Sequence, residues 1–495
     1  MVLYMASRKE RNSYLMIIKN RHERNFSMRG AAFLQFGSKY ANIAIQLIIT
    51  AILARLISPS DFGLLSIVTV FTAFFQLFSD MGIGTAIVQY RDLTEEDYGK
   101  LFVFSFILAI VLVVLFCVIA SPISWFYDDP RLIPLCYATA PGLILNTLNM
   151  VPNGLMLKDK RFGAIALRLI VSTLVSGLIA ILLAIAGAGC YALAIQTVFA
   201  ALIILVWNLV TRPVRHFSIH FSGPLKHVFS YSAYQFGFSF INYFSRNLDN
   251  LVIGRVLGTA SLGYYDKAYK LTTYPMSSIS SVVASVIQPY MAENQNNPGR
   301  IFQCWFKVTK LLSLVGAFIA TIFIVASPEI VTFFYGSQWE PAVPLFQALS
   351  VSVYFQMIGN PSGAFFQSLG RTDLMFKQGL VCTALTIFGL IVGATTHSLQ
   401  LLAICVSTAF CLHVIPIIYF LLVRGMHVPV KNIFRFAPEI GVSLLSVMVN
   451  VFVFDYCNFS SILSLIVKIL ITSVIFVVGY FASGNMKYLL SFIKK

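Results

Sequence analysis

Four polar side chains recur in an otherwise apolar stretch near the start of this 495-residue sequence: Gln35, Lys39, Asn42 and Gln46. Steps of four, three and four put them on one face of an α-helix. A similar stretch later in the chain carries Gln235, Ser239, Asn242 and Arg246, followed by Asp249 and Asn250. A charge at the centre of a bilayer costs about 2.5–3.5 kcal/mol on insertion scales, so such residues face protein or a water-filled cavity. A guanidinium grips phosphate in bidentate fashion and an ammonium offers a point charge. Lys39, Asn42, Gln46, Asn242, Arg246, Asp249 and Asn250 are therefore the candidate cavity set, and Arg168, Lys267 and Lys270 extend its cationic groups towards the membrane surfaces. A purely structural reading also fits: Asp249 can pair with Arg246 or Lys270, and Arg168 and Lys267 lie close enough to span ends to snorkel.

These residues sit in a chain that is 58% hydrophobic and only 11% charged, with a mean hydropathy of +0.82. Soluble domains carry about a quarter charged residues, so lipid must solvate most of this one. The net charge of +16 does not imply nucleic-acid binding, because the basic residues are scattered between apolar runs and form no single patch. The eight cysteines form no CxxC pair and indicate neither zinc nor a disulfide framework. The basic N-terminal stretch has no apolar core long enough for a signal peptide, and Met28, directly before the first span, offers an alternative start.

A bilayer core of about 30 Å takes roughly 20 helical residues to cross, which parses the chain into fourteen spans. The distribution of Lys and Arg tests the parse. One set of alternate loops holds Arg91, Lys158, Arg161, Arg212, Arg300, Arg371, Arg424 and the basic termini; the other holds only Arg55, Arg131 and Arg255. Both termini are therefore placed in the cytoplasm. Ser60 and Asp61 are expected to cap the second span, and Thr94 with Asp97 to form a capping box before the third.

The chain also repeats. Leu53 to Leu65 aligns with Ile253 to Tyr265, superposing Arg55 on Arg255 and Gly63 on Gly263; at the same offset Asn42 falls on Asn242. FYDDPRLIPL, from Phe126, resembles FYGSQWEPAVPL, from Phe334, and the pair Pro152 and Gly154 resembles Pro361 and Gly363. These last four are candidate hinges. With six spans between the copies, the repeats are parallel and related by an axis along the membrane normal. The expected architecture is an all-α polytopic membrane protein. A basic tail covers 1–29, a six-helix lobe 30–211, a linker 212–228, a second six-helix lobe 229–423, and two further helices 424–495.

The stretch LARLISPSDFGLLSIVTVFTAFFQLFSDMGIGTAIVQ (Leu53 to Gln89), then LTEEDYGKLF, resembles the Wzx-type polysaccharide exporters of the colanic and teichuronic acid kind. PEIVTFFYGSQWEPAVPLFQAL (Pro328 to Leu349) fits the same family. They belong to the multidrug, oligosaccharidyl-lipid and polysaccharide exporter superfamily, and the resemblance runs from about Met28 to the end. It implies two lobes in a MATE-like V and transport of an undecaprenyl-diphosphate-linked oligosaccharide across a bacterial inner membrane. Lys39 and Arg246 would then attract the diphosphate, with Asn and Gln side chains on the sugars. It implies no cofactor or metal, a proton or sodium gradient as energy source with no residue set naming the ion, and a polysaccharide polymerase and chain-length proteins as partners. A multidrug antiporter, with Asp249 as its acid, is the alternative. A glycan polymerase or ligase is disfavoured by short outer loops and by the lack of HExxH, P-loop or G-x-S-x-G motifs. Alkaline phosphatase fused after Ile57, Asp129 or Gly258 is expected to be active, and a fluorescent protein fused after Met426 to fluoresce; the opposite pattern would refute the orientation.

Overall fold

The computed structural model describes residues 28–80, 83–90, 93–217, 243, 247–276, 298–429, 436–456, 461–486 and 488. Every regular element among them is helical. The first half comprises α1 (Met28–Leu56), α2 (Pro59–Asp80), α3 (Ile83–Gln89), α4 (Glu95–Tyr127), α5 (Leu132–Lys158), α6 (Phe162–Ile185) and α7 (Cys190–Thr211). The second comprises α8 (residues 247–276), α9 (Pro298–Val325), α10 (Ser327–Tyr335), α11 (Val343–Gly359), α12 (Ser362–Ser368), α13 (Thr372–Thr395), α14 (Leu399–Leu412) and α15 (Val414–Ile418). The added pair is α16 (Ala437–Tyr456) and α17 (Ser461–Ala482).

Among the described residues, eleven helices are long and apolar enough to cross a membrane. The 27-residue α5 is long enough but is not one of them. Its three prolines, Pro134, Pro141 and Pro152, and three asparagines, Asn146, Asn149 and Asn153, dilute its apolar content. Where a loop was expected between spans seven and eight, residues 247–276 are helical; Gly258, at φ 85°, supplies the left-handed turn that glycine takes without a Cβ clash. Thr94 and Asp97 form the reciprocal capping box expected for α4. The cap of α2 is Ser58, not Ser60: the Asp61 backbone N–H donates to Ser58 Oγ, whose hydroxyl donates to the Asp61 carboxylate. Pro59 then opens the helix, where its fixed φ is favourable and its missing N–H costs nothing.

The loops meet in the two groups that the Lys and Arg distribution defined. On the basic face Arg212 pairs with Glu95 and, at 3.0 Å, with Asp159, and Lys158 donates to the Tyr90 carbonyl at 3.0 Å. On the opposite face Arg255 pairs with Asp128, and Arg55 donates to the Phe333 carbonyl at 2.7 Å.

Three apolar cores follow the same division. The largest joins both halves on the side of the opposite face, running from Ile49 through Tyr127 to Trp339 and Val406. Towards the basic face the halves have separate cores, one around Ile87, Tyr98 and Leu155, the other around Trp305, Phe366 and Leu422. Among the described residues, the two halves are thus welded at one end only.

The added helices are tied to the second half by charge. Lys310 on α9 pairs with Glu439 on α16, the two side chains being 2% and 0% exposed. Glu329 on α10 accepts from Lys468 at 2.5 Å and Ser464 at 2.6 Å, both on α17. A buried pair returns little net stability, but removing one partner strands the other charge at a cost of about 3–5 kcal/mol. Lys310→Met is therefore expected to lower the melting temperature of purified protein steeply, and Lys310→Met/Glu439→Leu to recover most of the loss. Equal melting temperatures for the single and double variants would refute that coupling.

Candidate functional site

The weld between the halves is built from the repeated sequence itself. A Cβ on Gly63 of α2 would collide with the Thr259 carbonyl, and one on Gly263 of α8 with the Pro59 carbonyl. Each repeat-related glycine thus receives the backbone of the other copy, a contact any side chain would prevent. Ser60 Oγ and Thr259 Oγ1 lie 3.0 Å apart beside this crossing. Trp339, fully buried, donates from Nε1 to the Ala54 carbonyl at 2.7 Å and stands edge-on to Phe62 and Tyr264.

Two repeat-related arginines clasp the same face. Arg55 reaches the Phe333 carbonyl and lies against Gly336. Arg255 reaches Asp128 and stacks 5.6 Å from the centre of the Phe126 ring. Each half therefore holds the turn that the other presents, and these turns are the FYDDP and FYGSQ segments matched in sequence. Within its own turn Asp129 is held by Arg131 through two side-chain hydrogen bonds of 3.0 and 2.7 Å. That pairing keeps the Asp129 carboxyl below the usual carboxylate range and leaves Asp128 to cross between the halves.

The candidate cavity residues separate into groups. Asn42 is half-buried, its Oδ1 accepting from Thr173 of α6 at 2.6 Å, while Lys39 is half-buried and Gln46 exposed. Arg168 of α6 is buried in the first half, donating to Asn208 of α7 and, at 3.1 Å, to Asn153 of α5. In the second half Asp249 is buried; Tyr265 donates to it at 3.0 Å and the Asn250 backbone N–H at 2.9 Å. Lys270 pairs with Asp266 at 2.7 Å, not with Asp249, because Asp266 lies one turn away on its own helix. Lys267 is buried between the halves, its ammonium 3.7 Å from the centre of the Phe62 ring. Asn242 and Arg246 lie outside the described residues. Sequence reasoning overlooked the amides around Arg168 and the acid Asp266; the i, i+3, i+7 spacing of Asn146, Asn149 and Asn153 on α5 was the available signal.

The hinge candidates differ from one another. Pro152 lies within the uninterrupted α5, whereas the chain turns at Asn360 and Pro361 between α11 and α12. A Cβ on Gly154 would press on Gly84 at 3.2–3.3 Å, so this glycine serves close packing, while Gly363 has open space around it.

Two parallel repeats of membrane-crossing helices, joined at one face and bearing buried polar groups, define a multi-pass membrane protein of the MATE-like fold. Residues 52–344 match the model of a family described as "Polysaccharide biosynthesis protein", and the chain belongs to that family. It is 26% identical over 398 residues to the teichuronic acid biosynthesis protein TuaB of Bacillus subtilis, covering 79% of this chain and 81% of TuaB. It is 25% identical over 369 residues to the lipopolysaccharide biosynthesis protein WzxC of Escherichia coli, covering 72% and 74%. Among solved structures, the lipid II flippase MurJ in an inward closed conformation superposes with a TM-score of 0.71 at 14% identity, over 92% of this chain and 100% of that one. An inward-facing MATE multidrug transporter does so at 0.62 and 16% identity, over 77% and 94%.

In a background with the native cysteines replaced, Ser60→Cys/Thr259→Cys is expected to cross-link readily on oxidation. Adding Gly263→Val should abolish the cross-link by forcing the helices apart. Undiminished cross-linking in that triple variant, read by gel shift after cleavage between the halves, would refute the glycine crossing.

Proposed function

We propose that the chain moves an undecaprenyl-diphosphate-linked oligosaccharide from the inner to the outer leaflet of a bacterial cytoplasmic membrane, for surface polysaccharide synthesis. Its basic face lies in the cytoplasm and the clasped face outside. One observation carries the reading: among the described residues the halves share a single core at the clasped face and keep separate cores at the basic face. That is the form of a carrier open towards the compartment where the substrate is made. Exposing the other side requires the Gly63–Gly263 crossing and both arginine clasps to part while the basic-face ends close, which is alternating access about the repeat axis. The family and its polysaccharide-biosynthesis relatives support the class of substrate. The buried cations and amides suit a diphosphate and sugar hydroxyls, with Lys39 and Arg246 the residues assigned to the diphosphate. A proton or sodium gradient would supply the energy.

Deleting the gene is expected to make the cell accumulate a lipid-linked oligosaccharide, identified by its mass spectrum, and to lose the matching surface glycan. Oxidising Ser60→Cys/Thr259→Cys should reproduce that accumulation, and reduction should reverse it within minutes. A deletion strain with normal surface glycan and no such intermediate would refute the flippase reading.

A further inference from the structure

The cations of this protein are balanced unequally. In the second half and the added pair, Lys310, Lys270 and Lys468 each have a carboxylate within ion-pair distance. Arg168, at 8% exposure, forms no ion pair among the described residues. Its partners are the amide oxygens of Asn208 and Asn153, and among the described residues its buried Nε has no hydrogen-bond partner. A guanidinium keeps its proton in proteins, and a buried charge without a counter-ion is costly. Arg168 is therefore a cation held in place by neutral groups, with a donor to spare. Stability alone would be served better by an acid in place of one of the asparagines.

The amides continue along α5. Asn208 Nδ2 donates to Asn149 Oδ1 at 2.7 Å, and one turn further Asn146 borders a cavity of about 160 Å³ between α2, α5 and α7. Gln76, Thr69, Thr72 and Thr197 line it as well, and among the described residues no charged one does. The hydroxyls of Thr72 and Thr197 donate to carbonyls of their own helices, so the lone pairs of those oxygens remain to accept, while the amides of Asn146 and Gln76 can both donate and accept. Such a lining suits the hydroxyls of a sugar. The volume is well under the roughly 300–1,000 Å³ of a drug-sized site, so it takes one ring or substituent and not an oligosaccharide. From Asn146 to Asn153 the helix rises about 10 Å, the span of a phosphate and an attached sugar.

We infer that Arg168 and the Asn146, Asn149 and Asn153 ladder form a two-part subsite within the first half, in which Arg168 takes a phosphate and the adjoining cavity takes a substituent of the sugar linked to it. The inference rests on the flippase reading for its choice of ligand, but its test does not depend on transport.

Purified full-length protein is titrated with farnesyl diphosphate and with farnesyl-diphospho-N-acetylglucosamine, and melting temperatures are recorded alongside. Wild-type protein should bind both, the sugar-bearing probe more tightly. Asn153→Asp supplies Arg168 with an internal carboxylate; it should keep or raise the melting temperature while weakening both probes at least tenfold. Asn208→Asp should act alike, and serves if the first variant folds poorly. Asn146→Leu should weaken only the sugar-bearing probe, by roughly tenfold. Wild-type affinity in folded Asn153→Asp and Asn208→Asp proteins, or no binding by wild type, would overturn the phosphate half. Equal weakening of both probes by Asn146→Leu would overturn the sugar half. Normal glycan export in the deletion strain, with these binding results intact, would refute transport and leave the subsite standing.

Discussion

The structure depends on two stretches of backbone touching without side chains between them. At the crossing of α2 and α8, Gly63 and Gly263 each admit the carbonyl of the opposite copy. Close approach of this kind is how helices associate where lipid offers no hydrophobic driving force between them. The aromatic seal of Phe62, Tyr264 and Trp339 forms around that approach, and the two arginine clasps join the halves at the same face. A contact made of packing and a few hydrogen bonds can part without stranding a buried charge pair. That suits a joint which, under the proposed alternating access, would open.

Charge is managed differently on the two sides of the joint. The second half closes its buried cations onto acids and uses two of those pairs to hold α16 and α17. The first half sets its buried arginine among amides. Lys267 at the seam is a third case, an ammonium against the faces of Phe62 and Tyr335, where the ring quadrupole takes the place of a counter-ion. A frame duplicated in sequence therefore carries three electrostatic solutions.

Much of the frame was legible in the sequence. Apolar runs located the helices, alternation of Lys and Arg sorted the loops that meet, and the offset superposing Gly63 on Gly263 pointed at residues that touch. Less could be read where the outcome depends on helix rotation. The spacing of Lys39, Asn42 and Gln46 defines a face but not its neighbour, and Asn42 turns towards Thr173 of α6. Ser60 looked like a cap because serine often is one; Pro59 moved the helix start back, and Ser60 was freed to meet Thr259. The partner of Lys270 depended on a choice between two nearby acids. The ladder on α5 had the right spacing throughout, but asparagine in an apolar run attracts less notice than a charge. Pro152 and Pro361, matched by the repeat, differ because one stays within a continuous helix and the other ends one.

The 33-residue α4 is about 50 Å long, well beyond the thickness of the hydrocarbon core. Just past its last residue lies Asp128, engaged by Arg255 of the other half; its first residue is Glu95, engaged by Arg212. It is a long helix with a fastening at each end, one to the opposite half and one to its own. Under the proposed alternating access a helix so placed would work as a lever: tilting it about the bilayer midplane would pull on one fastening and push on the other in a single stroke. News of an opening at one surface need not travel through side-chain rearrangements to reach the other. It arrives as leverage.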